Sequence, residues 1–345
     1  PDFAPESVAM PVTVIQAKAK SKPSAGSWRA NVIAPSKAPS QIKSVPEASL
    51  HLDHVYGFTA QGMRNNVRYN ANGDLTYPCS RLGIIQKRKA GSQVFFDRHT
   101  DRISAFATSR DGKVAATGQH GFVATVAIWD AVTGKSLRNL SDVQQNGVSA
   151  IVFSKSSSII AVAGLDDDHT ISVFDWRQDA LISRGNGGGH HVFSLAFSHD
   201  GTELFSCAIK DLKVWNVSSR AASYMRPSFG EFTPPHPVGE ELDENGEEKP
   251  PLPAVPLGFA QPFLCCSYFS GRPVVGTEDG DLYIFTNNSL TDKIPAHIGG
   301  VTSMATSDTT GKLVTGGMDG NVSLWNTNLE KLCAYPVMAY VLSST

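Results

Sequence analysis

An aromatic residue that closes an alternating strand recurs along the chain and predicts an all-β propeller. The strand endings are Trp129, Phe174, Trp215, Phe285 and Trp325, separated by 45, 41, 70 and 40 residues. A period of about 40–45 residues with a Trp-Asp or Trp-Asn ending is typical of one four-stranded blade of a WD-repeat propeller. The long interval equals one period plus an insertion. We therefore predict a WD-repeat β-propeller with six recognisable blades and the start of a seventh, preceded by a largely irregular N-terminal arm.

Composition and charge argue against several classes of protein. The net charge is −2 and charged residues make up 18% of the chain, so no global field favours nucleic acid or an anionic membrane. The five cysteines include no Cys-x-x-Cys pair, which indicates reduced thiols in an intracellular protein rather than a disulfide framework or a zinc site. No apolar run approaches the roughly 20 residues that cross a bilayer, and no signal-peptide core opens the chain. We expect a soluble, intracellular protein with neither a nucleic-acid nor a membrane partner.

Residues 1–50 predict an irregular basic arm. The segment is rich in Pro, Ser, Ala and Lys and shows no sustained period of 2 or 3.6 residues. No acidic residue lies between Glu6 and Glu47, where the positive charges are Lys18, Lys20, Lys22, Arg29, Lys37 and Lys43. Two interpretations stay open, a solvated linker and an arm that lies on an acidic surface such as tubulin. Trp28 is the only aromatic residue from Pro11 to Leu50, which argues against nucleic acid.

Residues 51–98 predict an opening motif and an atypical first blade. The runs NVRY, LTYP and LGIIQ are short strand candidates, and NANGD is a turn between the first two. Ile85 precedes Trp129 by 44 residues, which is one blade period. Residues 99–345 then carry the remaining propeller blades.

The opening motif resembles a known family. Val55-Tyr56-Gly57-Phe58, then Arg64-Asn65-Asn66 and the 73–77 hairpin, are similar to the hydrophobic motif of the echinoderm microtubule-associated protein-like family. The strings at 114–119 and 128–130 resemble its blade strands, although Thr-Ala-Gln follows Phe58 where the family usually has Arg-Gly. The resemblance implies the first of two joined propellers, a tubulin or microtubule partner, and a structural role for Val55, Tyr56, Gly57, Phe58, Arg64, Asn65 and Asn66.

Two segments depart from the blade pattern. Residues 226–258 are rich in Pro and acids, which predicts a solvated loop insertion or a contact arm to another protein. The closing run KLCAYPVMAYVLSST predicts only the opening of a seventh blade. An unclosed propeller exposes a sheet edge. Either a partner covers this edge or further sequence follows. We expect the latter, with the rest of the seventh blade and the second propeller that the resemblance implies.

The histidines near carboxylates predict structural hydrogen bonds. WD-repeat blades place a buried set of four side chains at the positions of His297, Thr315, Asp319 and Trp325, in which the histidine bridges a turn carboxylate and a strand hydroxyl. The set formed by His99, Thr117 and Trp129 is a partial copy that lacks the turn aspartate.

No motif predicts chemistry. Adjacent carboxylates at Asp166, Asp167 and Asp168 diverge from one another, and no second ligand cluster has usable spacing for a metal. Gly187–Gly189 is not followed by the Lys-Ser/Thr of a phosphate-binding loop, and no nucleophile elbow occurs. We predict no catalytic residue, no cofactor and no metal, and we expect that the protein is not an enzyme.

Two functional hypotheses follow. The first is a microtubule-associated scaffold of the cytoplasm and cytoskeleton, with the axoneme of a cilium or flagellum as a candidate location and other axonemal or cytoskeletal proteins as further partners. Its candidate tubulin contacts are the arm together with Lys87, Arg88, Lys89, Arg98, Arg102, Arg110 and Lys113, which are also ordinary charges for solvated turns. The second is a propeller adaptor for complex assembly without direct microtubule contact.

Overall fold

The computed structural model describes residues 50–60, 62–218, 220–234, 252–307 and 309–337. The described residues from Leu52 onward belong to one compact unit. They form strands and turns, and they contain no helix that is long and apolar enough to cross a membrane. The predicted all-β class is confirmed. The basic arm and its six cations lie outside the described residues.

The first sheet arises from the predicted atypical blade. Its four antiparallel strands are β1 (Arg68–Tyr69), β2 (Leu75–Cys79), β3 (Leu82–Gln86) and β4 (Gln93–Phe96). The Asn70 side chain closes the β1–β2 turn, because its Oδ1 accepts hydrogen bonds from the backbone N–H groups of Asn72 and Asp74.

The second and third blades share one six-stranded sheet. Its strands are β5 (Ile103–Thr108), β6 (Val114–Asp130), β7 (Ser136–Phe153), β8 (Ile159–Gly164), β9 (Ile171–Asp175) and β10 (Ala180–Gly185). β6 and β7 each supply two blade strands, because the backbone bends at Gly121 and Gly147, where φ is +128° and +136°. One half of β7 pairs with β6 and the other half with β8.

The fourth blade is followed by the predicted insertion. The sheet contains β11 (Val192–Phe197), β12 (Glu203–Ala208), β13 (Asp211–Asn216) and β14 (Ser223–Met225). At the base of the insertion, β15 (Glu231–Phe232) pairs with β16 (Val255–Pro256). Residues 235–251, which hold most of the acidic run, lie outside the described residues.

The fifth and sixth blades complete the described propeller. The fifth contains β17 (Phe263–Phe269), β18 (Arg272–Thr277), β19 (Asp281–Thr286) and β20 (Ser289–Pro295). The sixth contains β21 (Val301–Ser307), β22 (Lys312–Gly317), β23 (Asn321–Trp325) and β24 (Lys331–Pro336). Part of the run that the sequence suggests as the start of a seventh blade is thus the outer strand of the sixth, because β24 pairs with β23. Residues 338–345 lie outside the described part.

Hydrophobic clusters join each sheet to the next in chain order. Between the first and second blades, Ile85, Phe96 and Trp129 are fully or almost fully buried, and similar clusters follow at each later junction as far as the sixth blade. The blades that have a neighbour on each side, the second to the fifth, are therefore buried on both faces of their sheets. In the third blade, β8 and β9 are buried along almost their whole length. In β23, by contrast, burial alternates, which is the pattern of a sheet covered on one face.

Gly83 allows the first sheet to approach Trp129. A Cβ at this position would lie 2.8 Å from Cζ2 of Trp129. We therefore expect Gly83→Ala to lower the free energy of unfolding by about 1–3 kcal/mol, as overpacking does in other cores. Chemical denaturation measures this change. Gly189→Ala is the matched control, because no atom lies within 4 Å of its added Cβ; equal stability of the two variants would contradict the close packing.

Candidate functional site

The turns at one end of the first two blades are connected by backbone hydrogen bonds. Ala71 N–H donates to Gly112 O (2.9 Å), and Ala131 N–H donates to Lys113 O (2.8 Å). These bonds bring the β1–β2, β5–β6 and β6–β7 turns together, and the β3–β4 turn joins them through Lys87. We call this surface the basic end. Its exposed cations are Arg88, Lys89, Arg110, Lys113 and Lys135.

Lys87 holds this surface together from within. Its Nζ lies 3.3 Å from Asp74 Oδ2 and donates to Val132 O at 3.0 Å, and its side chain is 26% exposed. Asp74 also accepts a hydrogen bond from Arg88 N–H. Lys87 therefore connects three turns, and its charge is used inside the fold.

The carboxylates of the basic end are turned toward their own turns. Asp111 accepts hydrogen bonds from the Ser109 hydroxyl (2.6 Å) and the Lys113 N–H (3.1 Å), and Asp130 accepts from the Val132 and Thr133 N–H groups. The Ser109 hydrogen bond is the main reason why the pKa of Asp111 lies below its ordinary value. The cations project outward and outnumber these acids, which leaves the surface positively charged.

Arg98 and Arg102 lie at the opposite end of the same two blades. Both are exposed in the connection between β4 and β5, where Ile103 N–H donates to Ser80 O at 2.7 Å. Arg81 pairs with Asp97 there at 3.3 Å. The sequence-predicted basic residues therefore form two separate groups. Lys135 also belongs to the basic end, but the sequence analysis did not include it among the candidate contacts. It lies in the β6–β7 turn after the Trp-Asp ending of the second blade, and only the folded structure brings this turn next to the first blade.

The opening motif follows the outer strand of the first sheet. The Gln93 side chain binds both backbone groups of Val55, accepting from its N–H at 2.7 Å and donating to its O at 3.0 Å. Asn66 Nδ2 donates to Thr59 O at 2.6 Å. Gly57 adopts a φ of +93°. Tyr56 and Phe58, by contrast, are 88% and 56% exposed and touch little of the first sheet.

Arg64 reaches across the propeller. Its Nη1 donates to Leu264 O at 2.5 Å, and its guanidinium lies 4.6 Å from the centre of the Phe193 ring. Leu264 and Phe193 belong to β17 and β11, in the fifth and fourth blades. The neighbouring Asn65 is exposed and has a φ of 53°.

The side chains at 297, 315, 319 and 325 form a continuous hydrogen-bonded set in the sixth blade. His297 Nδ1 lies 3.0 Å from Asp319 Oδ1, and its Nε2 lies 2.9 Å from Thr315 Oγ1. Trp325 Nε1 donates to the same hydroxyl at 2.9 Å. Thr315 is fully buried. The set connects the β22–β23 turn to the strand that carries the tryptophan.

The second blade contains a related set in which Gln119 takes the place of the turn aspartate. His99 Nδ1 lies 3.0 Å from Gln119 Oε1, its Nε2 lies 2.7 Å from Thr117 Oγ1, and Trp129 Nε1 donates to that hydroxyl at 3.1 Å. Burial lowers the pKa of His99, against the opposite effect of Gln119, and favours the neutral imidazole. Sequence reasoning missed Gln119 because it searched for an acid in the turn.

The acidic turn at Asp166–Asp168 also makes local hydrogen bonds. Asp166 accepts from the Thr170 hydroxyl at 2.5 Å, and Asp168 accepts from Asn186 at 2.9 Å. Nowhere in the described part of the chain do three His, Cys, Asp or Glu side chains come together as metal ligands.

Removal of the shared hydroxyl of the sixth blade tests the hydrogen-bonded set. Thr315→Val keeps the shape of the side chain but leaves the Trp325 indole N–H and the His297 Nε2 without their hydrogen-bond partner. We expect the free energy of unfolding to fall by about 1–3 kcal/mol, measured by chemical denaturation. Thr310→Val, in an exposed turn of the same blade, is the control and should be nearly neutral. An unchanged stability in Thr315→Val would contradict a stabilising role of the set.

Asp319 predicts a pH dependence of stability. Partial burial raises the pKa of this carboxyl, but hydrogen bonds from Asn321, Ile298 and His297 outweigh that effect and lower it to about 2, from an ordinary 3.8. A folded-state pKa below the unfolded value gives stability that is present above 3.8 and is lost as the pH falls toward 2. We expect Asp319→Asn to melt at a lower temperature at neutral pH and to lose less stability across this acid range. The control, Asp179→Asn at an exposed position, should lose stability with falling pH as the unmodified protein does. If Asp319→Asn also lost stability as the unmodified protein does, the lowered pKa of Asp319 would be contradicted.

Comparisons with known proteins agree with this geometry. The sequence profile described as "Echinoderm microtubule-associated protein first beta-propeller" matches residues 92–341, and the profile of the HELP motif matches residues 45–84. Among solved structures, the crystal structure of the computationally designed Ika8 protein superposes with a TM-score of 0.58 at 18% identity, covering 79% of this chain and 73% of that one. This likeness shows the fold alone.

Several curated relatives are similar over most of this chain. The ciliary WD repeat-containing protein ctxp80 of Euplotoides octocarinatus is 24% identical over 86% of the chain and 40% of its own length. Echinoderm microtubule-associated protein-like 2 of Mus musculus is 26% identical, with 87% and 45% covered, and the like-named protein 1 of Rattus norvegicus is 25% identical, with 84% and 34% covered. The chain thus spans less than half the length of these relatives. It belongs to the echinoderm microtubule-associated protein family, as a HELP motif followed by the first WD-repeat propeller.

Proposed function

We propose that the chain is a non-enzymatic scaffold that binds the microtubule lattice through the basic end of its first two blades. The observation that carries this proposal is the group of exposed cations Arg88, Lys89, Arg110, Lys113 and Lys135, held on neighbouring turns by the Ala71–Gly112 and Ala131–Lys113 hydrogen bonds. A fixed positive surface suits the acidic outer surface of tubulin, because complementary charge steers the encounter and sets the orientation. Family membership supports a cytoskeletal partner in general.

Several weak contacts have to act together at such a surface. An exposed ion pair contributes about 0.2–1 kcal/mol, and salt screens it. The rigid connection among the turns reduces the entropy that binding costs, since the backbone positions are already fixed. The basic arm at residues 1–50 would add further charge-dependent affinity. The ctxp80 relative is named a ciliary protein, which supports a cilium as the proposed location of this chain.

Adaptor function is the second candidate, and the opposite end of the propeller favours it. Phe122, Ile298 and Met318 are exposed there, by 81%, 88% and 58%. Phe122 adjoins Arg102, to whose O the His120 N–H donates, and Met318 N–H donates to Gly300 O close to Ile298. Clustered exposed apolar side chains, such as the neighbouring Ile298 and Met318, are typical of protein-binding surfaces, whereas a single one such as Phe122 is common on any surface. A scaffold that binds tubulin at one end is able to bind a second protein at the other.

A charge-matched pair of variants tests the lattice contact. We expect the triple variant Arg88→Gln, Lys89→Gln and Lys113→Gln to bind taxane-stabilised microtubules about tenfold more weakly in co-sedimentation, from three contacts of about 0.5 kcal/mol each. The control changes the same number of charges at the opposite end, Arg81→Gln, Arg98→Gln and Arg102→Gln, and should retain binding.

Both triples are measured over a salt series, with and without residues 1–50. An equal loss of microtubule binding in the two triple variants would show that only the net charge matters. Unchanged binding in both variants would overturn the proposed surface. Loss that follows deletion of the arm alone would place the contact on the arm instead.

A further inference from the structure

A cavity of about 630 Å³ lies among the inner strands of the propeller. Its walls come from β5, β7 and β11, with single contributions from Cys266 of β17 and Met304 of β21. Residues 62–65 and Arg68, which precede and begin the first sheet, line the remaining side. A cavity of this size is in the range of sites that enclose a ligand of several residues or rings.

The described lining contains no Asp or Glu, although it includes Arg64, Arg68, Arg110, Lys155 and His191. Arg64 donates to the carbonyl of Leu264, and Arg68 donates to the carbonyl of its own neighbour Val67 at 3.2 Å. Carbonyl groups accept these hydrogen bonds but carry no compensating charge. Two guanidinium groups therefore face one cavity, with no carboxylate of the described chain paired to either of them.

Arg68 shows the cost of this arrangement. Burial lowers its pKa below the ordinary arginine value, because removing the guanidinium from water disfavours the charged form. The side chain nevertheless stays protonated at physiological pH. A partly desolvated cation is destabilising unless an anion approaches it. A carboxylate is the natural partner, since its two oxygens match the paired N–H groups of a guanidinium.

The walls favour a peptide over a nucleic acid. Single-stranded nucleic acids bind on accessible aromatic faces, but Phe106 and Phe153 of this lining are 5% and 8% exposed, and Arg64 covers Phe193. The lining instead combines apolar side chains with cations, which suits a peptide whose side chains include carboxylates. Arg110 belongs to both the cavity and the basic end, so that the two surfaces are continuous.

We propose that this central cavity binds a short acidic peptide, whose carboxylates pair with Arg64 and Arg68. The inference deepens the proposed function, because an acidic tail of a protein bound at the basic end would have a continuous path into the cavity. It is nevertheless testable with a free peptide and without microtubules.

Fluorescence anisotropy with a fluorescein-labelled Glu-rich peptide tests the proposal, with a Gln-rich peptide of equal length as the comparison. We expect the Glu-rich peptide to bind and the Gln-rich peptide not to bind. Arg68→Met should lower the affinity for the Glu-rich peptide about tenfold, which is the effect of losing one charge-assisted hydrogen bond. Arg68→Lys should retain part of the affinity. Arg81→Met, at the opposite end of the blades, is the control and should bind as the unmodified protein does.

Arg64→Met should also weaken peptide binding. Because this substitution removes the hydrogen bond from the segment before β1 to Leu264 in β17, the melting temperature of the variant is measured in parallel. Arg68→Met is the cleaner variant, because its described hydrogen bond is to an adjacent residue. Equal binding of the Gln-rich peptide, or unchanged affinity in Arg68→Met, would overturn the proposal. So would an oligonucleotide of matched charge that displaces the peptide at a lower concentration.

The basic-end triple variant separates this inference from the proposed function. We expect this variant to bind the free peptide with unchanged affinity, because Arg64 and Arg68 are intact, and to bind microtubules about tenfold more weakly. Peptide binding in a protein that never pellets with microtubules would contradict the lattice contact and leave the cavity site standing. Microtubule binding without any peptide binding would contradict the cavity site and leave the lattice contact standing.

Discussion

Trp129 sets the position of the first blade relative to the second. Its ring is fully buried, stacks on Phe96 at 5.0 Å between centroids with the planes 7° apart, and lies over the Cα of Gly83. Its indole N–H donates to the buried Thr117 hydroxyl that also binds His99. One side chain thus combines blade-to-blade packing with the hydrogen bonds that fix its own strand. The turns of the two blades meet only because the sheets are held at this spacing.

The positions of the cations follow from that packing. With the blades held together, backbone hydrogen bonds connect the turns at 71, 112 and 131, and Lys87 joins them through Asp74 and Val132. The surrounding basic residues gain a common direction, and among them Lys113 forms an exposed ion pair with Asp111 at 4.0 Å. The acids of these turns also accept hydrogen bonds from nearby N–H and hydroxyl groups, which hold them close to the turn backbone. The same packing leaves Arg64 and Arg68 directed into the central cavity.

The local sequence pattern was sufficient to predict the blade repeat and the hydrogen-bonded set of the sixth blade. The aromatic strand endings predict the blades because each blade repeats the same local burial. The spacing of the sixth-blade set indicates its four members, since all of them belong to one blade. The outer strand of the same blade escaped prediction, because a short exposed strand such as Lys331–Pro336 has little buried pattern of its own. Gln119 escaped because an amide can accept the histidine hydrogen bond as an acid does.

The long-range contacts had no sequence signal. Arg64 binds the carbonyl of Leu264, 200 residues further along the chain, and only the curved arrangement of the blades brings them together. Lys87 lies among basic neighbours in the sequence, but the fold pairs it with Asp74 across a hairpin. The candidate cations are divided between two ends of the propeller for a similar reason. Successive antiparallel strands place their turns at alternate ends of a blade, so the end at which a cation lies depends on which turn carries it. Charge runs predict that a surface is basic, whereas the topology determines which residues share it.

Cryo-electron microscopy of microtubules decorated with the full chain tests the central claim most directly, because it shows which end of the propeller faces the lattice. The account predicts that the turns of Arg88, Lys89 and Lys113 lie against tubulin and that Arg98 and Arg102 face away. A reconstruction with the Arg98 and Arg102 end against the lattice, or with the propeller held away from it by the arm alone, would contradict the account.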